Sequence, residues 1–273
     1  MNAEGALSPA KSGLAIGGVT VRFGGLVAVN EASLTAPMGQ ITGLIGPNGA
    51  GKTTIFNACC GLVPVSGGQV LLHGQDVTGL SPAARARRGL GRTFQQMQLF
   101  DSMTVVENVR LGREIRYAAN GLLRQLYGAR HERVAVAEAT AEALETCGIA
   151  HLGNRFVGAL PVGQRRLVEL ARILTGEFDV LLLDEPSSGL DTEETERFGG
   201  IVRDVVDRRK CGVLIVEHDM ALVMSICEYL YVLDFGVRVF DGTPEETQAS
   251  PLVRAAYLGE EDQLEGFEAT ATC

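Results

Sequence analysis

Lys52, Thr53 and Thr54 close the run Gly46-Pro47-Asn48-Gly49-Ala50-Gly51, and these nine residues carry the most specific chemistry in the chain. Gly46, Gly49 and Gly51 let the backbone curl until successive N–H groups converge on α- and β-phosphates, with no side chain obstructing the approach. Lys52 supplies a point charge for the β- and γ-phosphates, and the Thr53 hydroxyl is suited to Mg²⁺. Asn48, Ala50 and Thr54 complete the cradle. Far along the chain, Asp184 and Glu185 end the apolar run Leu181-Leu182-Leu183. That order puts Asp184 at the metal end of a phosphate site and Glu185 further out, where a carboxylate can orient and polarise an attacking water. The chemistry implied is binding of ATP or GTP, followed by hydrolysis.

Such residues need strands to present them. Ile41 to Ile45 reads as a buried strand feeding the phosphate loop, and Val180 to Asp184 and Gly212 to Glu217 are Val/Leu/Ile runs of the kind buried on both faces of a parallel sheet. Nucleotide sites lie at the carboxyl ends of such strands. From Leu14 to Gln40 the pattern is strand-like alternation broken by Gly pairs, which predicts two layers of short strands ahead of the site. Gln69 to His73 reads as a further strand, and Ser81-Pro82 starts a helix through Arg85, Arg87 and Arg88. From Val105 to Cys147 the pattern is mainly helical, interrupted near Asn120-Gly121, with Val134, Ala137, Ala141 and Leu144 expected on one packed face and Gly148 as the stop. Tyr229 to Gly242 reads as a hairpin turning at Asp234-Phe235-Gly236. No internal repeat is visible.

Composition narrows the class. The chain of 273 residues, 46% hydrophobic, has ample material for a buried core. A formal charge of −9 argues against broad binding to nucleic-acid backbones. No apolar stretch approaches the roughly 20 residues of a membrane span, and the Met1 to Lys11 leader lacks signal-peptide character, so a cytoplasmic location is expected. The six cysteines form no CxxC pair and have no His at zinc-ligand spacing, and they are expected to be buried, reduced thiols.

Leu160-Pro161-Val162-Gly163-Gln164 with Arg165-Arg166-Leu167, followed by the strand into Asp184-Glu185-Pro186-Ser187-Ser188-Gly189-Leu190-Asp191, resembles the ATP-binding cassette of ABC transporters. The resemblance implies a P-loop NTPase of the ABC ATPase type: an α/β RecA-like core with an antiparallel β subdomain and an inserted α-helical subdomain. It implies a signature loop at Leu160, Pro161, Val162, Gly163 and Gln164, and a D-loop at Ser188, Gly189, Leu190 and Asp191. It also implies a switch histidine at His218 that hydrogen-bonds the γ-phosphate or the water held by Glu185. A Q-loop glutamine is implied at Gln95, joining Thr53 and Asp184 around Mg²⁺, and a stacking aromatic for adenine at Phe23. Catalysis would then rest on Glu185, His218 and Gln95, with ATP and Mg²⁺ as ligands.

Phe23-Gly24-Gly25-Leu26-Val27-Ala28-Val29, Arg92-Thr93-Phe94-Gln95, Glu217-His218-Asp219-Met220 and Ala256-Tyr257-Leu258-Gly259 look like the ATP-binding subunit of branched-chain amino-acid importers. Urea and lipopolysaccharide-export ATPases are similar. The implied organisation is a leader at 1–13, a cassette at 14–259 with its helical subdomain at about 96–165, and an acidic mobile tail at 260–273. The implied partners are a second ATPase subunit, two membrane permeases on whose cytoplasmic side the chain would sit, and an extracytoplasmic binding protein reached through them. Thr93 to Met103, with Phe94, Met97, Leu99, Phe100 and Met103, is the stretch expected to meet a permease. A DNA-repair or translation ATPase is the rival reading, disfavoured by the single cassette and the acidic charge; a P-loop kinase or GTPase is disfavoured by the signature loop.

Overall fold

A computed structural model describes residues 13–93, 97–118 and 129–257. The alternation after Leu14 builds two long strands where short ones were expected: β1 (Leu14–Phe23) and β2 (Leu26–Ala36), paired antiparallel. The Gly pair that broke the pattern is absorbed by register shifts between Ile16 and Val21, with Gly18 in the left-handed region at φ 58°. A bulge keeps a strand going across an interruption that periodicity reads as its end.

β3 (Ile41–Ile45) is buried at all five positions and runs into the glycine-rich loop. Helix α1 (Lys52–Cys60) follows, bounded by Gly51 and Gly61, both in the left-handed region. The N-terminal sheet is completed by β4 (Gly67–Leu72) and β5 (Gln75–Asp76), in the order β2-β1-β4-β5. Ser81 caps α2 (Pro82–Arg87), as the Ser-Pro pair predicts. Arg85 is fully buried and donates to the carbonyls of Ala58, Cys59, Thr78 and Leu80. Its cation thus closes the carbonyl-rich end of α1, where positive charge is favoured.

β6 (Leu90–Arg92) is an edge strand, followed by α3 (Val105–Ala118), α4 (Ala129–Thr146) and α5 (Val162–Leu174). β7 (Val180–Asp184), α6 (Thr192–Arg209), β8 (Gly212–Val216), α7 (Met220–Ile226), β9 (Tyr229–Asp234), β10 (Val237–Gly242), α8 (Pro244–Ala249) and α9 (Pro251–Tyr257) complete the described chain. The second sheet has the order β10-β9-β3-β8-β7-β6, parallel except for β10. Its strands are buried on both faces: Leu181 and Leu183 pack into a core shared with α5 and α6, while Val180 and Leu182 face α1 and the antiparallel sheet. Among the described residues no helix is long and apolar enough to cross a membrane.

The packed face of α4 differs from the expected one. Val134, Ala137 and Ala141 are exposed, and of the expected stripe only Leu144 is buried; Val136, Thr140 and Ala143 line the buried side with it. Thr140 hid this face, because its hydroxyl looks polar in sequence but is satisfied internally by the Val136 carbonyl at 2.6 Å. Gly148 does end the segment, at φ 66° with its N–H on the Glu145 carbonyl. The five described cysteines are buried and free, as expected, and burial pushes the Cys147 thiol up to about 12. Cys273, Gln95, Phe94, the Asn120-Gly121 interruption, the leader through Ser12 and the acidic tail lie outside the described residues.

Candidate active site

The loop between β3 and α1 is held open by glycine geometry. Gly46, Gly49 and Gly51 have φ of 145°, 80° and 100°. A side chain at Gly46 would place its Cβ 2.1 Å from the Leu233 carbonyl oxygen, so the loop and β9 can approach only through glycine. No side chain caps the start of α1, and no acidic residue occupies its first turn. Its first N–H groups and the positive end of its dipole are therefore directed at whatever the loop cradles. Lys52 is 6% exposed, and its Nζ donates to the carbonyls of Gly46 and, at 3.0 Å, Pro47. A cleft of about 310 Å³ is lined by Asn48 to Thr54, Leu26, Val27, Ala28, Glu185, His218 and Phe235.

β7 and β8 bring the distant acids to this cleft. Asp184 is buried, and Arg92 at the end of β6 donates to its Oδ2 at 2.7 Å; Arg92 also donates to Asn57 Oδ1 at 2.6 Å. Burial raises the Asp184 carboxyl above its usual range against the pull of Arg92. Asp184 Oδ1 is buried with no hydrogen-bond partner among the described residues. Glu185 has φ 47°, a conformation that costs a non-glycine residue roughly 1–3 kcal/mol. It is held there by its N–H on the Val216 carbonyl at 2.8 Å and by His218 Nε2, 2.9 Å from Glu185 Oε1. The acid and the histidine, 33 residues apart in sequence, thus form one hydrogen-bonded pair on the wall of the cleft.

Glu217 belongs to this arrangement and escaped the reading of the sequence. Its carboxylate is 3% exposed; Oε1 accepts the Ser187 N–H at 2.7 Å and Oε2 the His218 N–H at 3.1 Å. One buried acid therefore ties the segment after Glu185 to the segment carrying His218. An acid ending a buried strand was the available signal. Desolvation wins over these hydrogen bonds and raises the carboxyl from 4.5 to about 7. A raised acid favours folding while it is protonated, so its contribution is present below pH 4.5 and lost as pH rises through about 7. We expect the parent to lose on the order of 3 kcal/mol relative to Glu217→Gln over that window, because each tenfold change in proton affinity between the folded and unfolded chains corresponds to about 1.4 kcal/mol. Denaturation midpoints of both proteins from pH 4.5 to 8 measure it; parallel curves would refute it.

The ABC transporter family model matches residues 29–188, more than half of the chain. The chain belongs to the ABC transporter family. It is 40% identical over 250 residues to the high-affinity branched-chain amino acid transport ATP-binding protein BraF of Pseudomonas aeruginosa, covering 90% of this chain and 98% of that protein. LivG of Escherichia coli, of the same description, is 39% identical with the same coverage, and the lipopolysaccharide export system ATP-binding protein LptB of Haemophilus influenzae is 35% identical over 86% of this chain and 92% of its own length. Among solved structures, the ADP conformation of MJ1267, an ATP-binding cassette of an ABC transporter, superposes with a TM-score of 0.80 at 30% identity over 91% of this chain and 99% of that one. The RecA-like core, the antiparallel sheet and the helices between β6 and β7 are those of an ABC ATPase, whose work is ATP hydrolysis coupled to transport.

In this ABC cassette the expected signature residues start α5. Leu160 is buried, Val162 is 44% exposed, and Pro161 is the N-cap residue, one position before the first turn. An N-cap proline brings no side-chain oxygen to the open N–H groups of the helix. A Cβ on Gly163 would lie 2.1 Å from Oε1 of Glu194, whose carboxylate sits at the start of α6. Asp191 of the expected D-loop forms a capping box with Glu194, a local structural task, while Arg166 reaches the Ser188 carbonyl and Gly189 lies near Val162. None of Leu160 to Gln164 lines the cleft. Phe23, 49% exposed at the end of β1, is not among the lining residues either.

Proposed function

We propose that the chain is the ATP-hydrolysing subunit of an importer for branched-chain amino acids, held at the cytoplasmic face of the membrane by two permease subunits and paired with a different ATPase subunit. The observation that carries the pairing is that Leu160 to Gln164 stand outside the cleft lined by Lys52 and Glu185, so a signature must come to each cleft from another chain. Pro161 supports a non-identical partner: it has neither a hydroxyl nor an N–H for a γ-phosphate. BraF and LivG support the substrate, since they match at higher identity and over a longer stretch than LptB.

The residues present fit Mg²⁺. Asp184 offers the orphaned Oδ1, Thr53 is exposed in the cleft, and an all-oxygen donor set is the kind that this ion takes. Asp184, Thr53 and Gln95 would hold it, and its chemistry is to neutralise charge on the β- and γ-phosphates. Glu185 orients the water, His218 fixes the carboxylate, and Lys52 holds the phosphates. A groove of about 720 Å³ between the core and the helices, lined by Leu62, Arg92, Gln98, Phe100, Arg172 and Phe178, supports permease docking beside Thr93 to Met103.

The purified chain is expected to be monomeric and slow, and addition of the partner ATPase should raise turnover well above the sum of the two. Sedimentation with ATP, together with identification of co-purified membrane subunits, tests both halves. ATP-dependent homodimerisation with full activity would remove the heterodimer, and co-purification with lipopolysaccharide-export permeases would replace the substrate.

A further inference from the structure

The turn between β9 and β10 breaks a local rule beside the nucleotide cleft. Asp234 pairs with Val237, leaving Phe235 and Gly236 as the two central residues, with φ of 43° and 78°. Two positive φ values make the primed turn that favours Asn-Gly, Asp-Gly or Gly-Gly, and a bulky aromatic at its first position is disfavoured. Phe235 nonetheless stands there, 89% exposed. A residue that gains nothing from burial and strains its own backbone is a candidate for contact with a ligand.

The turn is also fixed in place. The Gly236 N–H donates to the Ala50 carbonyl at 2.9 Å, and the Gly236 carbonyl accepts the Asn30 N–H at 2.8 Å. A Cβ on Gly236 would lie 2.6 Å from the Ala28 oxygen, and one on Gly51 would lie 3.5 Å from Gly236 Cα. The hairpin tip is thus clamped between β2 and the phosphate loop, and its aromatic joins Leu26, Val27 and Ala28 in lining the cleft, which Phe23 does not. The loop's N–H groups and Lys52 claim the phosphates. The apolar rim made by Leu26, Val27 and Phe235 is left for the opposite end of the ligand.

We infer that Phe235 binds the nucleobase of the bound nucleoside triphosphate, supplying an aromatic face held at a fixed distance from the phosphate loop. The inference rests on this cleft being the nucleotide site. Stacking of a base on an aromatic side chain accounts for about tenfold in affinity.

Equilibrium binding of ATP and of inorganic tripolyphosphate, both with Mg²⁺, separates base from phosphate recognition. Phe235→Asn suits the turn better than the native residue, so its melting temperature should equal or exceed the parent's. Its ATP Kd is expected to rise about tenfold while tripolyphosphate binding stays at the parent's value, and Phe235→Tyr should restore ATP binding. Lys52→Ala serves as the control and should weaken both ligands. An ATP Kd unchanged in Phe235→Asn, or an equal loss for ATP and tripolyphosphate, overturns the role of Phe235. Parent-like binding of both ligands by Lys52→Ala instead overturns the assignment of the cleft, and the inference with it.

Discussion

Glu185→Gln is expected to slow ATP turnover by about 10²- to 10⁴-fold while leaving ATP affinity close to the parent's, the range that a positioned general base contributes. The substitution keeps the shape of the side chain and an amide oxygen where His218 Nε2 now meets Oε1 at 2.9 Å. It leaves the phosphate loop untouched. What disappears is the carboxylate charge that orients and polarises water. Because nucleotide stays bound while chemistry stalls, the variant should accumulate as an ATP-trapped complex with the partner ATPase proposed above, visible by size-exclusion chromatography. Single-turnover measurements should place the loss in the chemical step. Hydrolysis at the parent rate would show that Glu185 is not the catalytic carboxylate.

The strain at Glu185 bears on the same experiment. A φ of 47° is maintained because the backbone N–H is held by Val216 and the side chain by His218. Glu217 holds the two neighbouring segments from below through Ser187 and His218. The acid, its histidine and the buried carboxylate beneath them therefore share one hydrogen-bonded frame, so Glu185→Gln tests charge with geometry nearly constant. Glu185→Ala would mix the two.

The parts of this site that were legible in the sequence are those for which local chemistry admits few solutions. Gly46, Gly49 and Gly51 could be read because a phosphate cradle needs left-handed backbone, and β7 and β8 because short runs rich in Val, Leu and Ile suit a sheet covered on both faces. Gly236 marked the turn and Gly148 the stop for the same reason, although Phe235 beside Gly236 goes against the turn's own preference. What was not legible depends on contacts that exist only once the chain has folded. Arg92 and Asp184 are 92 residues apart, and nothing in either neighbourhood announces their 2.7 Å contact. Thr140 looked like the polar side of α4 because its internal hydrogen bond is invisible until the helix exists. β1 and β2 looked short because a bulge and a strand end give the same interruption in alternation.

Lys52→Ala is expected to abolish measurable hydrolysis and to weaken ATP binding by about 10- to 100-fold, since a hydrogen bond to a charged group contributes about 1.5–3 kcal/mol. The side chain is 6% exposed, so its ammonium acts where water screens it little. In a water-excluded site a fixed positive charge does more for the charge developing on the transferred phosphoryl group than it would in solution, and turnover should fall further than affinity. The same burial brings a structural consequence. Lys52 Nζ donates to the carbonyls of Gly46 and Pro47, and alanine leaves both without that donor. The Pro47 carbonyl is half-buried and can take water in place of the lost donor, while the Gly46 carbonyl is buried and is left short of one, so some cost to folding should accompany the larger cost to function. Titration calorimetry with ATP, a steady-state assay and a melting curve on the same preparation separate the two effects. Parent-like ATP affinity together with parent-like turnover would contradict the phosphate-loop assignment. A variant that melts near the parent's temperature, binds weakly and does not turn over would establish Lys52 as the charge on which binding and catalysis both depend.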